Sequence, residues 1–221
     1  AQYSLGNDFW RHDTSIAPLT GALATWGLTI DDLRVASFHG TSTMLNDKNE
    51  SSVLQQQLTA LGRRKGNLLL GVFQKHLTGH SKGAAGAWMV NGALQMLDSG
   101  LVPGNRNADN IDSALQQFDL IAYLNRPVHV PDLKAVSITS FGFGQKGAQA
   151  ICVHPRHVFA TLTRDEYEAY LARRMARQRI TDAYFYEGMS SNSLFRAKTA
   201  PPFPVSQENE TYLDASARFS L

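Results

Sequence analysis

A single cysteine, Cys152, stands among the 221 residues, so no internal disulfide can form and a reducing compartment, the cytoplasm, is expected. No apolar run reaches the roughly 18 residues of a membrane span, so no membrane association is expected. The opening stretch AQYSLGNDFWRHD has neither the basic start nor the apolar core of a signal peptide, and it lacks an initiating Met, as in a processed chain or a piece of a longer one. Neither sign of charge dominates: 21 basic against 19 acidic residues leave a net +2, which gives no electrostatic reason to expect nucleic acid. The locally basic stretch from Arg156 to Arg179 reads as a solvated helix face. No repeat of fixed period is present, and the histidines lack the Cys or His spacing of a zinc site, so no metal is expected. What remains is a 43% hydrophobic chain, long enough for one large domain or two small ones with a substantial core.

Apolar spacing sets out the elements. Ile16, Leu19, Leu23 and Trp26 recur at three and four residues and predict a helix over Thr14 to Trp26, stopped by Gly27. Arg34 to Phe38 reads as a buried strand that delivers His39 at its end. Leu54, Leu58 and Leu61 predict a helix over Asn46 to Leu61, with Glu50 on the same apolar face. Leu68 to Phe73 is a second buried strand, and Ser81 to Leu97 a helix so rich in small residues at its start that close packing on most sides is expected. Asn105 to Asp112 is a polar loop. Ala135 to Ser140 and Ala148 to His154 flank the glycine-rich FGFGQKG as a hairpin. Thr163 and Glu166 form a capping box for a helix to Arg179, beyond which an aromatic arm is expected. This is an α/β pattern, divided as residues 1–160 and a helix with an extended interface tail over 161–221.

Four groups could carry chemistry. His39 is followed by GTST, a set of hydroxyls on a tight turn. His80, placed at a helix start, is expected to be neutral, because the positive dipole end disfavours the imidazolium. Two neutral imidazoles converging on one oxygen would stabilise charge developing there; each could equally be a satisfied structural histidine. A buried Glu50 demands a partner, and Lys75 would satisfy it and hold the loop of His80; both could instead be surface charges. SFGFGQKG is either a plain hairpin or a mobile loop that frees a backbone N–H and lets Phe141 cover a pocket.

HGTST with Asp47 and Glu50, then QKHLTGHSKGAAG, then SFGFG resemble, in order and spacing, the carboxyl-terminal half of a β-ketoacyl synthase, a condensing enzyme of thiolase-like layered fold (αβαβα). GLTIDDLRVASFHGTST, NDKNES, GVFQKHLTGHSKGAAGAWMVNGALQ, PGNRNADN and ITSFGFGQKGAQAICVHP are similar to that domain in fungal type I fatty acid synthase alpha subunits. The likeness is strong over Ile16 to Ala160 and looser in the tail. The turn GQKG stands where bacterial members have GGTN.

The resemblance implies decarboxylative Claisen condensation of a malonyl thioester with an acyl-cysteine. His39 and His80 would bind the malonyl carbonyl beside the active-site lysine, Lys75, with Glu50 ordering the site. Thr41 and Thr43 would hold the phosphopantetheine of acyl carrier protein, no cofactor being bound directly. Phe141, Gly142, Phe143 and Gly144 would form the gating and oxyanion loop. Partners implied are acyl carrier protein, a second synthase domain in a homodimer, and other subunits of a large complex. The nucleophilic cysteine of such enzymes sits at a strand-to-helix elbow in the amino-terminal half, whereas Cys152 lies in an apolar strand and reads as an inert core thiol. Activity would then require an upstream half. Two further readings stay open: a specialised fungal synthase making a short acyl starter for a secondary metabolite, and a non-catalytic assembly module.

Overall fold

A computed structural model describes residues 15–106, 108–142, 146–195, 199–200 and 204–206, in two units, Ala1–Thr163 and Arg164–Leu221. In the first unit, the short apolar runs become strands buried from both sides. β1 (Leu33–Ser37), β2 (Leu69–Val72), β4 (Ile121–Tyr123) and β6 (Ala135–Phe141) run parallel, and β7 (Gly147–Val153) returns antiparallel at the edge, giving the order β4-β2-β1-β6-β7. Continuous rather than alternating hydrophobicity is what a parallel strand covered on both faces requires. β3 (Leu101–Val102) and β5 (Val128–His129) make a separate antiparallel pair.

Helices cover both faces. α1 (Pro18–Ala24) and α2 (Met44–Ala60) bring Leu19, Leu23, Leu54 and Leu58 onto Leu33 and Leu69, one core. α4 (Ala85–Ser99) brings Met89, Ala93, Met96 and Leu97 onto Val35, Leu70, Val72 and Val136, the other. The α/β reading therefore holds, with three layers in the described part of this unit. α1 starts later than the periodicity implies because Pro18, at its N1 position, is preset for a first turn.

The segment expected as one helix from Ser81 is broken. A 3-10 turn at Lys82–Ala84, with Lys82 at φ 55, precedes α4, and Gly100 in the left-handed conformation ends it. The expected close packing of its small residues is not observed. Ala85 and Met89 are buried, but a Cβ built on Gly83 or Gly86 would meet nothing within 4 Å. Helical periodicity marks one buried stripe, which takes in Ala85 and Ala93, while Gly83 and Gly86 lie off it.

After α5 (Pro155–Phe159), the described residues of the second unit are mainly those of α6 (Arg164–Ser190). It runs eleven residues past the expected end at Arg179, so the YFYEGM stretch is helical rather than extended. No proline interrupts it, and side-chain pairs one turn apart, Arg164 to Glu168 and Gln178 to Asp182, both at 2.8 Å, support its surface. The tail beyond 206 and the PPF of PPFP lie outside the described residues.

Arg63, 6% exposed, ties the sheet together at its amino edge. Its guanidinium donates to the carbonyls of Ile30 (2.6 Å) ahead of β1 and Leu33 (2.8 Å) at its start, and of Asn67 (2.5 Å) and Leu68 (3.3 Å) ahead of β2. Burial lowers it to about 10, so it stays charged at neutral pH. Arg63→Ala should cost about 3 kcal/mol in urea denaturation by orphaning these carbonyls. Arg63→Lys should recover only part, since an ammonium cannot fork between them; full stability in Arg63→Ala would refute the clamp.

Candidate active site

Because β1, β2 and β6 are parallel, their carboxyl ends lie on one edge, and the residues just past them converge there, where ligands of open α/β sheets bind. β1 delivers His39 and Gly40, β2 leads into Phe73 and Lys75, and β6 ends in Ser140 and Phe141. α2, crossing behind β1, points Glu50 at the same place, where it is fully buried.

Glu50 organises the strand end. Its Oε1 accepts the His39 N–H at 2.7 Å and the Thr139 hydroxyl at 2.7 Å, and its Oε2 accepts the Gly40 N–H at 3.0 Å and Asn46 Nδ2 at 3.4 Å. Burial pushes its carboxyl up, and these donors pull against that shift. Gly40, at φ 49, permits the turn: a Cβ there would sit 2.7 Å from the Phe73 ring.

Lys75, on the one-turn α3 (Lys75–Thr78), donates to the His39 carbonyl at 2.5 Å and lies 3.6 Å from the Met89 sulfur. The direct Lys75 to Glu50 pair expected from sequence does not form, since the lone pairs of Glu50 already serve amides and a hydroxyl. The two instead hold His39 from its two backbone ends. Burial lowers the Lys75 ammonium, partly offset by the Glu50 charge.

The His39 ring is 6% exposed and meets two rings edge-on. The centroid of His80 is 5.3 Å away at 86°, and that of Phe141 6.0 Å away at 85°. Ser140 Oγ is 3.4 Å from Nδ1. Burial lowers the His39 imidazole first, then the Lys75 charge, then His80. His80 is exposed and follows Gly79 in the turn after α3; with α4 starting only at Ala85, the helix-start argument for it does not apply.

The Thr41 and Thr43 hydroxyls are 3.5 Å apart, on either side of Ser42 at φ 58. A cavity of about 540 Å³ opens beside them, lined by Thr41, Lys75, His80, Asn105 and Tyr123 among others. Phe141 pairs with Gly147 at the end of the β6–β7 ladder, so the two strands pair as expected, while residues 143–145 of the turn lie outside the described residues. The Gly142 N–H is engaged by the Lys146 carbonyl at 2.9 Å, while Phe143 and Gly144 lie outside the described residues. Cys152, half-buried on β7 opposite Val136, has its thiol pushed up by burial.

Sequence reasoning missed Thr139, Tyr123 and above all Asn105, which sits in the segment expected as a plain polar loop. Asn105 is 8% exposed and lines the cavity. An isolated amide leaves no periodic trace. Its nearest signal was the turn-rich PGNRNADN around it. Among the described residues no group of three or more His, Cys, Asp or Glu could hold a metal ion, and no helix is long and apolar enough to cross a membrane.

Residues 11–109 match the family described as "Beta-ketoacyl synthase, C-terminal domain". The chain is 64% identical, over 97% of its length, to a fatty acid synthase subunit alpha of Emericella nidulans, and 56% identical over 100% to that of Saccharomyces cerevisiae. It spans only 13% and 12% of those proteins. A crystal structure of the ketosynthase FabY from P. aeruginosa superposes on 75% of the chain and 26% of that protein, with TM-score 0.64 and 26% identity. An oxazolomycin ketosynthase domain from Streptomyces shares the fold over 62% of the chain and 24% of that protein, with TM-score 0.55 and 22% identity.

An imidazole with a lowered folded-state pKa binds its proton more weakly folded than unfolded, so the His39 contribution to stability is lost as pH falls below 6.5. His39 should accordingly titrate by NMR with a midpoint below 6.5. Lys75→Met, which removes the ammonium, should raise that midpoint; no movement would mean that Lys75 exerts no field on the ring.

Proposed function

We propose that this chain, whose residues 11–109 belong to the β-ketoacyl synthase carboxyl-terminal domain family, supplies the decarboxylating side of a 3-oxoacyl-[acyl-carrier-protein] synthase in fatty acid biosynthesis. The observation that carries the reading is the His39 ring, fixed through its own backbone by Glu50 and Lys75 and set edge-on 5.3 Å from His80, which with Lys75 lines an open cavity.

In this mechanism a malonyl thioester enters the cavity and its carbonyl oxygen takes hydrogen bonds from both imidazoles. The carbon–carbon bond to the carboxylate breaks, CO2 leaves, and its electron pair stays as an enolate whose oxygen those donors stabilise. A neutral His39 suits this task, because it offers a donor without a countercharge for the departing carboxylate, and burial biases its imidazole toward that form. The enolate carbon then attacks the carbonyl of an acyl-cysteine, forming the new carbon–carbon bond and expelling the thiolate. That cysteine comes from outside this chain, in the upstream half with which the chain would be active as an acyltransferase.

The phosphopantetheine of acyl carrier protein would lie along Thr41 and Thr43, with Phe141 as the gate. A cytoplasmic complex with a partner synthase domain and other subunits is the corresponding setting. The 161–221 segment would be its docking arm, to which the exposed Ile180 (72%), Tyr186 (76%) and Met189 (69%) of α6 are suited. The name of the relatives favours fatty acid synthesis over a specialised starter synthase.

In the intact synthase, His39→Ala and His80→Ala should each lower condensation about 10²- to 10³-fold, the usual loss of one donor to a developing oxyanion. Acyl transfer to the cysteine should persist. Condensation at the wild-type rate in His80→Ala would refute the assignment.

A further inference from the structure

We infer that Asn105 is a positioning residue for this chemistry, setting the place of Lys75 and, through it, of His39. The inference rests on the condensing-enzyme reading above and adds to it a residue on a different segment, 30 positions beyond the lysine in sequence.

The geometry is that of a substitute peptide group. β2 and β4 pair through Leu69–Ile121, Leu70–Ala122 and Gly71–Tyr123, and there the ladder stops. Beyond it the side-chain amide of Asn105 takes over. Its Nδ2 donates to the Gly71 carbonyl at 2.8 Å and to the Leu124 carbonyl at 3.0 Å, and its Oδ1 accepts the Phe73 N–H at 2.8 Å. Its own N–H donates to the Leu124 carbonyl at 2.7 Å. Gly71 C=O and Phe73 N–H are the two groups that a further residue of β4 would have engaged, two positions apart on one strand edge. Both N–H donors of the amide are thus used, and its oxygen accepts as a backbone carbonyl would.

Its effect falls on Lys75, two residues after Phe73. The chain leaves β2 at Phe73, and the Phe73 N–H is the last backbone group tied to another segment before α3 carries Lys75 to the His39 carbonyl; the Phe73 and Gln74 carbonyls bond only locally, to the His76 ring and to the Leu77 and Thr78 amides. In the other direction Asn105 opens the loop of Arg106, Asn110 and Asp112, which lines the cavity. One amide therefore sets the spacing between the lysine-bearing segment and the opposite cavity wall. β2 keeps its three pairings with β1 and three with β4 without Asn105, so its loss moves the strand exit rather than the sheet.

The test uses the intact synthase, with condensation and acyl loading of the nucleophilic cysteine measured on the same preparations. Asn105→Ala should lower kcat for condensation about 10²-fold, the loss expected when reacting groups shift by about 1 Å, with acyl loading retained. Asn105→Asp carries the test where Asn105→Ala fails to fold. Ionised, it sets a carboxylate oxygen against the Gly71 and Leu124 carbonyls; protonated, it regains one donor. Its condensation rate relative to wild type should therefore rise as pH falls, while relative loading stays flat. Wild-type condensation in Asn105→Ala, or condensation and loading falling in parallel in both variants, would overturn the assignment. His39→Ala run alongside separates the two levels: a normal rate in Asn105→Ala beside an inactive His39→Ala defeats only the positioning role, whereas an active His39→Ala defeats the site reading and this inference together.

Discussion

Everything at the carboxyl edge of the sheet depends on one buried carboxylate. Glu50 sits at zero exposure among leucines, where an unpartnered charge would be untenable, and it resolves this by taking the His39 and Gly40 amides and the Thr139 hydroxyl. Those donors come from the turn after β1 and from β6, so a single side chain of α2 fixes both strand exits at once. The cost of burying it is visible as an upward push on its pKa. In return, the turn after β1 has one conformation, with Gly40 in the left-handed region and the Phe73 ring against it.

From that fixed turn the site follows. The His39 carbonyl is presented to Lys75, whose ammonium is in turn placed by the β2 exit that Asn105 holds. The ring of His39 is left facing His80 and Phe141, its protonation biased toward neutral by burial and by the neighbouring ammonium. Such a site is built from backbone contacts more than from side-chain pairs. Each chemical group is located by a neighbour that fixes its main chain, an arrangement that loses little precision to rotamer freedom.

The strands of the core were legible because parallel strands covered on both faces are written as short unbroken apolar runs, as in LLLGVF, and because the leucine spacing around Glu50 is strictly helical. The hairpin was legible from its glycines. What misled was composition without period. The small residues of GAAGA suggested close packing, yet only the stripe through Ala85 and Met89 is buried; the aromatic YFYEGM suggested an arm, yet nothing in it stops a helix. His80 was read at a helix start that the positive φ of Lys82 displaces.

By itself the sequence determined the order of β1, α2, β2, β6 and β7, the placing of His39 at a strand end, the burial of Glu50 and the likeness of residues 11–109 to the β-ketoacyl synthase carboxyl-terminal domain. Each of these is a property of local spacing or of the string of residues, both of which survive in one dimension. The tertiary structure alone decided who bonds to whom: Lys75 to a carbonyl rather than to Glu50, the Gly142 amide to Lys146, and Asn105 to two strands that it does not belong to. A hydrogen bond is won by whichever donor and acceptor stand within about 3 Å. For Lys75 and His39, 36 positions apart, and for Asn105 and Gly71, 34 apart, only the packed sheet and helices set that distance.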